Sequence, residues 1–158
     1  MSINRSAVIS DDGLYRYRLD RWWGEGPRVA WIMLNPSTAD ADVDDPTIRR
    51  CIGFTKAWGY DGLTVVNLYP FRATKPRDLY HWLRNRPNGL AVNRNSSVLD
   101  EVASVAPLVV TAWGANADPG DVLPPPPDWC HLGLTKGGHP RHPLYVRADT
   151  KPVEWGAA

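Results

Sequence analysis

The chain has little sulfur, no surplus of charge and no long apolar run, and each shortage removes a class of protein. Two cysteines, Cys51 and Cys130, among 158 residues are too few for a secreted disulfide scaffold. They fit a reduced, cytoplasmic setting better. Eighteen basic and seventeen acidic side chains leave a formal charge of +1, so there is neither a polybasic nucleic-acid tail nor an acidic solvating one. Any nucleic-acid binding has to rest on a local patch and a shaped pocket. No stretch approaches the ~20 apolar residues that cross a bilayer, and the opening Met1-Ser2-Ile3-Asn4-Arg5 leads into no apolar signal segment. What the chain does hold is fifteen prolines and eight tryptophans, which supply fixed loops and flat aromatic surfaces. At this length one domain, residues 1–158, buries enough surface to fold without a metal or disulfide staple.

Along the chain there is no internal repeat and no linker, and the one biased tract is Pro124-Pro125-Pro126-Pro127, a short polyproline spacer. Residues 14–19 alternate in the manner of an edge strand. Residues 28–34 form an apolar run stopped by Asn35-Pro36-Ser37, and residues 63–66 form another stopped by Asn67. Residues 107–112 form a third, ending at Trp113-Gly114, and residues 131–134 a weaker fourth. Asp45-Pro46 reads as a cap and first turn, with Ile48, Cys51, Ile52, Thr55 and Trp58 on one helical face and Gly59 as its stop. Residues 74–83 and 95–105 read as two further helices, the last capped by Asn95. Continuously apolar strands alternating with helices predict an α/β three-layer sandwich around a mostly parallel four-stranded sheet.

In such sheets ligands gather at the carboxyl ends of the strands, and here those ends carry Asn35, Asn67, Trp113-Gly114 and the segment from Thr135 to His142. Asn35 and Ser37 can set an amide and a hydroxyl at a pocket floor. Asn67 offers one acceptor and two donors, which suits the edge of a planar heterocycle. Asp40, Asp42, Asp44 and Asp45 lack the glycine and terminal glutamate of a calcium loop, but one of them can serve as a general base. Cys130, His131, His139 and His142 have spacing that fits no closed zinc site, so neither metal nor cofactor is expected, and His142 is better used as a donor to an anion. Arg49, Arg50, Lys56, Arg72, Lys75, Arg77 and Arg84, with the loop Lys136-Gly137-Gly138-His139-Pro140-Arg141, are candidates for phosphate contact.

Two resemblances follow from these segments in order. Leu34-Asn35-Pro36-Ser37-Thr38-Ala39-Asp40, Asp44-Asp45-Pro46-Thr47-Ile48-Arg49-Arg50-Cys51, Val66-Asn67-Leu68 with Arg72, Ala112-Trp113-Gly114 and Arg141-His142-Pro143-Leu144-Tyr145 resemble the bacterial and phage family called domain of unknown function 1643. More distantly, the order is similar to the uracil-DNA glycosylase superfamily. Met33-Leu34-Asn35-Pro36-Ser37 resembles its Gly-x-Asn-Pro-Gly type water-holding loop, with Met33 where that loop has glycine. Val65-Val66-Asn67 resembles its base-reading strand end, Trp113-Gly114 its Trp-Gly strand end, and Arg141-His142-Pro143-Leu144 its His-Pro-Ser-Pro-Leu type loop. The resemblance implies a glycosylase-like fold and a hydrolase that cleaves the N-glycosidic bond of a modified or damaged base. In it Asn35 would position water with Asp40 or Asp44 assisting, and His142 would donate to the leaving base. Asn67 would read the base, Phe71, Tyr69 or Trp113 would stack on it, and Ser37, Arg72 and Arg141 would contact the remaining substrate. The partners expected are DNA, RNA or a free nucleotide, for a monomeric chain without a membrane. The competing expectations are a non-catalytic module that binds a flipped base or nucleotide, and an unrelated small-molecule enzyme using the same pocket.

Overall fold

The computed structural model describes residues 2–85, 87–118 and 124–157. Among these, seven strands form one mixed sheet with three helices packed on it. In chain order the elements are β1 (Asn4–Ile9), β2 (Arg16–Trp22), β3 (Arg28–Met33), α1 (Pro46–Ala57), β4 (Gly62–Asn67), α2 (Pro76–Arg84), α3 (Gly89–Val105), β5 (Val109–Thr111), β6 (Cys130–His131) and β7 (Val153–Glu154). The spatial order is β1-β2-β4-β3-β5-β6-β7. The adjacent strands β4, β3, β5 and β6 run parallel, while β1 with β2, β2 with β4, and β6 with β7 are antiparallel.

The apolar runs fold as parallel strands because both of their faces are covered. Val29, Trp31 and Met33 of β3, with Leu63 and Val65 of β4, pack against Ile48, Cys51, Ile52 and Phe54 of α1. The alternate residues Ala30, Ile32 and Val66 pack with Val102, Val98 and Leu99 of α3. Asp45 starts α1 by accepting the Ile48 amide hydrogen at 2.9 Å, with Pro46 in the first turn. Trp31 donates its indole N–H to Thr55 Oγ1 at 3.1 Å and stacks on Trp58 at 5.5 Å between ring centroids, which fixes the helix over the strands.

Three expectations need correction. The sheet has seven strands and is mixed, because β1, β2 and the two-residue β7 join the parallel four by antiparallel pairing. The alternating segment near residue 14 is not an edge: β2 is paired on both sides and β1 forms the edge. Asn95 caps nothing. Asn88 caps α3, accepting from Leu90 and Ala91, and Asn95 lies mid-helix and buried.

The inner end of the sheet carries polar pairs. Asp20, 4 % exposed, accepts from Arg18 Nε at 2.7 Å, Thr64 Oγ1 at 2.6 Å and Arg28 Nη1 at 3.0 Å. Arg21, fully buried, meets Asp44 at 2.6 Å and donates to the carbonyls of Asp20 and Asp40. These contacts bind β2 and the segment leading into α1 to one frame.

Candidate functional site

The carboxyl ends of β3, β4 and β5 open onto a cavity of about 680 Å³. Its wall is built from the loop after β3, the first turn of α1, the end of β4, the Trp113–Asn116 segment and the His142 loop. That volume lies within the roughly 300–1,000 Å³ of small-molecule sites. Of the expected site residues, Asn35, Ser37, Asn67, Trp113, Arg141 and His142 line this one cavity.

Asn67 is fully buried as the last residue of β4, beside Met33 in the register of β3. Alternation along the strand puts it on the face of Leu63 and Val65, the face that α1 covers. Neither its Nδ2 nor its Oδ1 has a hydrogen-bond partner among the described residues. Its backbone is held from behind, because Asn95 Nδ2 donates to the Asn67 carbonyl at 2.8 Å and the Leu68 carbonyl at 3.2 Å. Trp113, 3 % exposed, adds an indole N–H that is also without a partner among the described residues. Buried polar groups are nearly always satisfied, so unpartnered side-chain groups on two residues that line one cavity leave hydrogen bonds for a ligand or water to complete.

Asn35 is half-buried and its Nδ2 lies 3.0 Å from the Pro36 carbonyl, 3.2 Å from Phe71 and 2.9 Å from Ala73. That amide nitrogen clamps the loop after β3 to the loop after β4, so a water-positioning role rests on Oδ1 alone. Half-buried His142 accepts the Leu144 amide hydrogen on Nδ1 at 3.2 Å, which puts the proton of the neutral ring on Nε2. Desolvation lowers its pKa below the ordinary histidine value, against a smaller opposing pull from Asp45. The ring is therefore a neutral donor near pH 7. Its loop is tied to α1 by Arg50, which donates to the carbonyls of Pro143 and Val146.

Asp40 and Asp44 do not line the cavity. Asp40 Oδ1 accepts the amide hydrogens of Asp42 and Val43, both at 2.8 Å, and so shapes its own turn. Asp44 is consumed by Arg21 and, at 3.3 Å, by Arg5. The acidic side chain among the described lining residues is Asp45, expected as the helix cap and as one of four aspartates from which a general base could come. Phe71 and Arg72 also lie outside the lining. Phe71 stacks on Trp82 at 5.2 Å and 5° and meets Tyr15 edge-on. Arg72 donates to the carbonyls of Ser37 and Gly13 and is a strut.

The glycine loop after β6 reaches the cavity only through Thr135, Arg141 and His142. His131 accepts from the Gly133 amide and packs edge-on against Trp155, away from the cavity. Among the described residues no three His, Cys, Asp or Glu side chains gather in a way that could hold a metal ion. No described helix is long and apolar enough to cross a membrane. Burial raises the Cys51 thiol far above the ordinary cysteine value, so it is inert.

One charged cavity residue had no site role in the sequence reading. Arg16, 2 % exposed, lines the same cavity as Asn67 and Asp45. The signal was present in the sequence only as one arginine in an alternating strand. Its aim depends on a register shift. Val8 pairs with Arg18 but Ile9 pairs with Arg16, leaving Tyr17 as an extra residue on β2. A bulge of this kind turns the preceding side chain to the other face, here the face of Leu19 and the cavity.

Comparison with curated proteins and with solved structures returns no match. A family profile matches residues 16–144, a span that begins at Arg16 and holds every lining residue of the cavity except Tyr145. On that match the chain belongs to the family described as "Protein of unknown function (DUF1643)".

Proposed function

We propose that the cavity binds a nucleobase and that the protein hydrolyses the N-glycosidic bond of a modified or damaged base. The observation that carries this reading is Asn67, a fully buried amide with both polar ends open at a strand end. A donor and an acceptor side by side match the carbonyl and ring N–H of a pyrimidine-type edge, and such an edge would satisfy both. The kinship with the uracil-DNA glycosylase superfamily is part of the same proposal. It is supported by Asn35, Asn67, Trp113-Gly114 and His142 meeting, in that chain order, at one cavity.

The chemistry asks for few groups. The bond from the sugar C1′ to the base nitrogen breaks, its electron pair leaves with the base, and the oxygen of a water joins C1′. Asp45, with Asn35 Oδ1, orients that water and takes its proton. His142 donates its Nε2 hydrogen bond to the base oxygen where negative charge develops, and a neutral ring suits that task. The base leaves as an anion held by His142 and takes a proton from solvent, to which Asp45 returns the one it took. No step needs a metal or a redox partner.

A second reading, a non-catalytic module that binds a base or nucleotide, is favoured by the clamp role of the Asn35 amide and by Asp45 also capping α1. Incubating the protein with oligonucleotides that carry modified bases, and with the matching nucleosides and nucleotides, separates the two. Free base found by chromatography and mass spectrometry, and abolished by Asp45→Asn, supports hydrolysis. Binding without release supports the module. Neither binding nor release refutes both.

A further inference from the structure

The cavity holds a second group that its own fold leaves unsatisfied, and it is a cation. Arg16 donates Nη1 to the Ala39 carbonyl at 3.0 Å, and its buried Nε has no partner among the described residues. No described carboxylate comes within ion-pair distance of it. The other deeply buried arginine on the same strand is treated differently. Arg21 meets Asp44 and three further backbone carbonyls within hydrogen-bonding range besides that of Ser6. A fold that fully pairs one buried guanidinium and leaves its neighbour facing a cavity has kept the second for a counter-ion from outside, since an unpaired buried charge is costly.

We propose that the occupant is a nucleoside monophosphate, with its terminal phosphate against Arg16 and its base against Asn67. This rests on the reading of Asn67 as a base-binding amide and adds the chemical class of the ligand. The first turn of α1, a helix of twelve residues, opens on the same cavity through Pro46 and Thr47, so its positive pole adds to the charge of Arg16 there. Burial pushes the Arg16 pKa down to about 10, partly offset by Asp45, with Arg72 and Arg21 lowering it and Asp40 raising it. The group stays charged at neutral pH. Asp45 is the one cavity carboxylate among the described residues, and its Oδ1 is already turned to the Ile48 amide hydrogen.

Depth decides between a free nucleotide and a nucleic-acid chain. A phosphodiester must continue in both directions and so stays near the surface, whereas a monoester ends where it binds. A guanidinium 2 % exposed is suited to the group that ends. The formal charge of +1 agrees, because binding to a chain draws most of its affinity from neutralising many phosphates.

The test is calorimetric titration of the full-length protein with nucleosides, their 5′-monophosphates, inorganic phosphate and a short single-stranded oligonucleotide. One monophosphate should bind at least tenfold tighter than its nucleoside, and inorganic phosphate should compete with it. In Arg16→Gln that advantage should shrink to within about twofold while the nucleoside affinity holds, and Arg16→Lys should keep part of it. Circular dichroism checks that each variant is folded. If Arg16→Gln does not fold, the wild-type ranking and Arg16→Lys carry the decision. Equal affinity for nucleoside and monophosphate overturns the phosphate site and leaves the base reading standing. Phosphate binding with no preference among nucleotides overturns the base reading and the nucleotide with it. An oligonucleotide that binds tighter than every monophosphate overturns the choice of a free ligand.

Discussion

Asn67→Leu should leave the protein about as stable as before, or more so, while removing its ligand affinity. Leucine nearly matches asparagine in shape but carries no polar atom. The wild-type side chain is fully buried with Nδ2 and Oδ1 both unpartnered, a state that costs roughly 1–3 kcal/mol to the extent that cavity water does not relieve it. Repacking a near-isosteric side chain at a strand end costs less than about 1.5 kcal/mol. The net change should lie between a loss of about 0.5 and a gain of about 3 kcal/mol. For a chain of this size each kcal/mol moves the midpoint of thermal unfolding by roughly 2–4 °C. Binding moves the other way. A base would face leucine with a carbonyl and an N–H unpaired, at roughly 1–3 kcal/mol for each, so affinity should fall by about one to four orders of magnitude. Urea unfolding and titration on the same preparation give both numbers. Asn67→Asp, acceptor-only when ionised, should turn preference toward bases that present an amino group. If Asn67→Leu loses more than about 2 kcal/mol and ligand affinity stays as it was, then Asn67 is a structural residue and the base reading fails.

Asn95→Ala should behave in the opposite way to Asn67→Leu. It removes two hydrogen bonds from the buried carbonyls of Asn67 and Leu68, so urea unfolding should register a loss of roughly 1–3 kcal/mol; an unchanged midpoint would refute the pinning role. For Asp20, burial raises the pKa, but the hydrogen bonds from Arg18 and Thr64 and the charges of Arg18 and Arg28 outweigh it, and the folded value falls below 3.8. Its contribution is therefore complete above the unfolded carboxylate value and is lost as pH falls through the lower folded one, so Asp20→Asn should destabilise at pH 7 and flatten the acid limb of stability below about pH 4. Gly114 and Gly138 have φ of +78° and +82°, so alanine at either should cost roughly 1 kcal/mol in unfolding experiments. Only Gly114→Ala should also weaken ligand binding, because Gly114 lines the cavity and Gly138 does not.

How far the sequence carried the fold depended on which signal each element left. The strands β3, β4 and β5 announced themselves as apolar runs because parallel strands are covered on both faces, and α1 did so through Asp45-Pro46 followed by one buried stripe. β1 left no such mark. Asn4–Ile9 pairs only with β2 and is mostly exposed, so its residues were free to be polar. β6 showed only as the weak run at 131–134, which overlaps it at His131, and β7, at two residues, is shorter than any period can register. Asn95 misled because asparagine is a common cap, and its use in the middle of α3 is explained only by two carbonyls on β4 and the residue after it.

The site divides along the same line, and the division has a physical cause. Asn67 was legible because a polar residue ending a buried strand already states both its burial and its place. The choice among Asp40, Asp44 and Asp45 was not legible, because Asp44 is taken by partners far away in the chain and Asp40 by the amides of its own turn. Arg5 on β1 and Arg21 on β2 take Asp44, the amides of Asp42 and Val43 take Asp40, and Asp45 is what remains at the cavity. Arg16 was hidden for a stricter reason. Alternation assigns each strand residue a face, and one extra residue at Tyr17 reverses that assignment for everything before it. Pattern reading assumes the register that the bulge breaks, so the buried cation of this cavity lies where periodicity points away from it. The same reasoning gives the bulge a role in function. An uninterrupted β2 would leave Asn67 and His142 in place and turn the guanidinium of Arg16 to the opposite face, removing the cation from a cavity whose amide and imidazole groups would be unchanged.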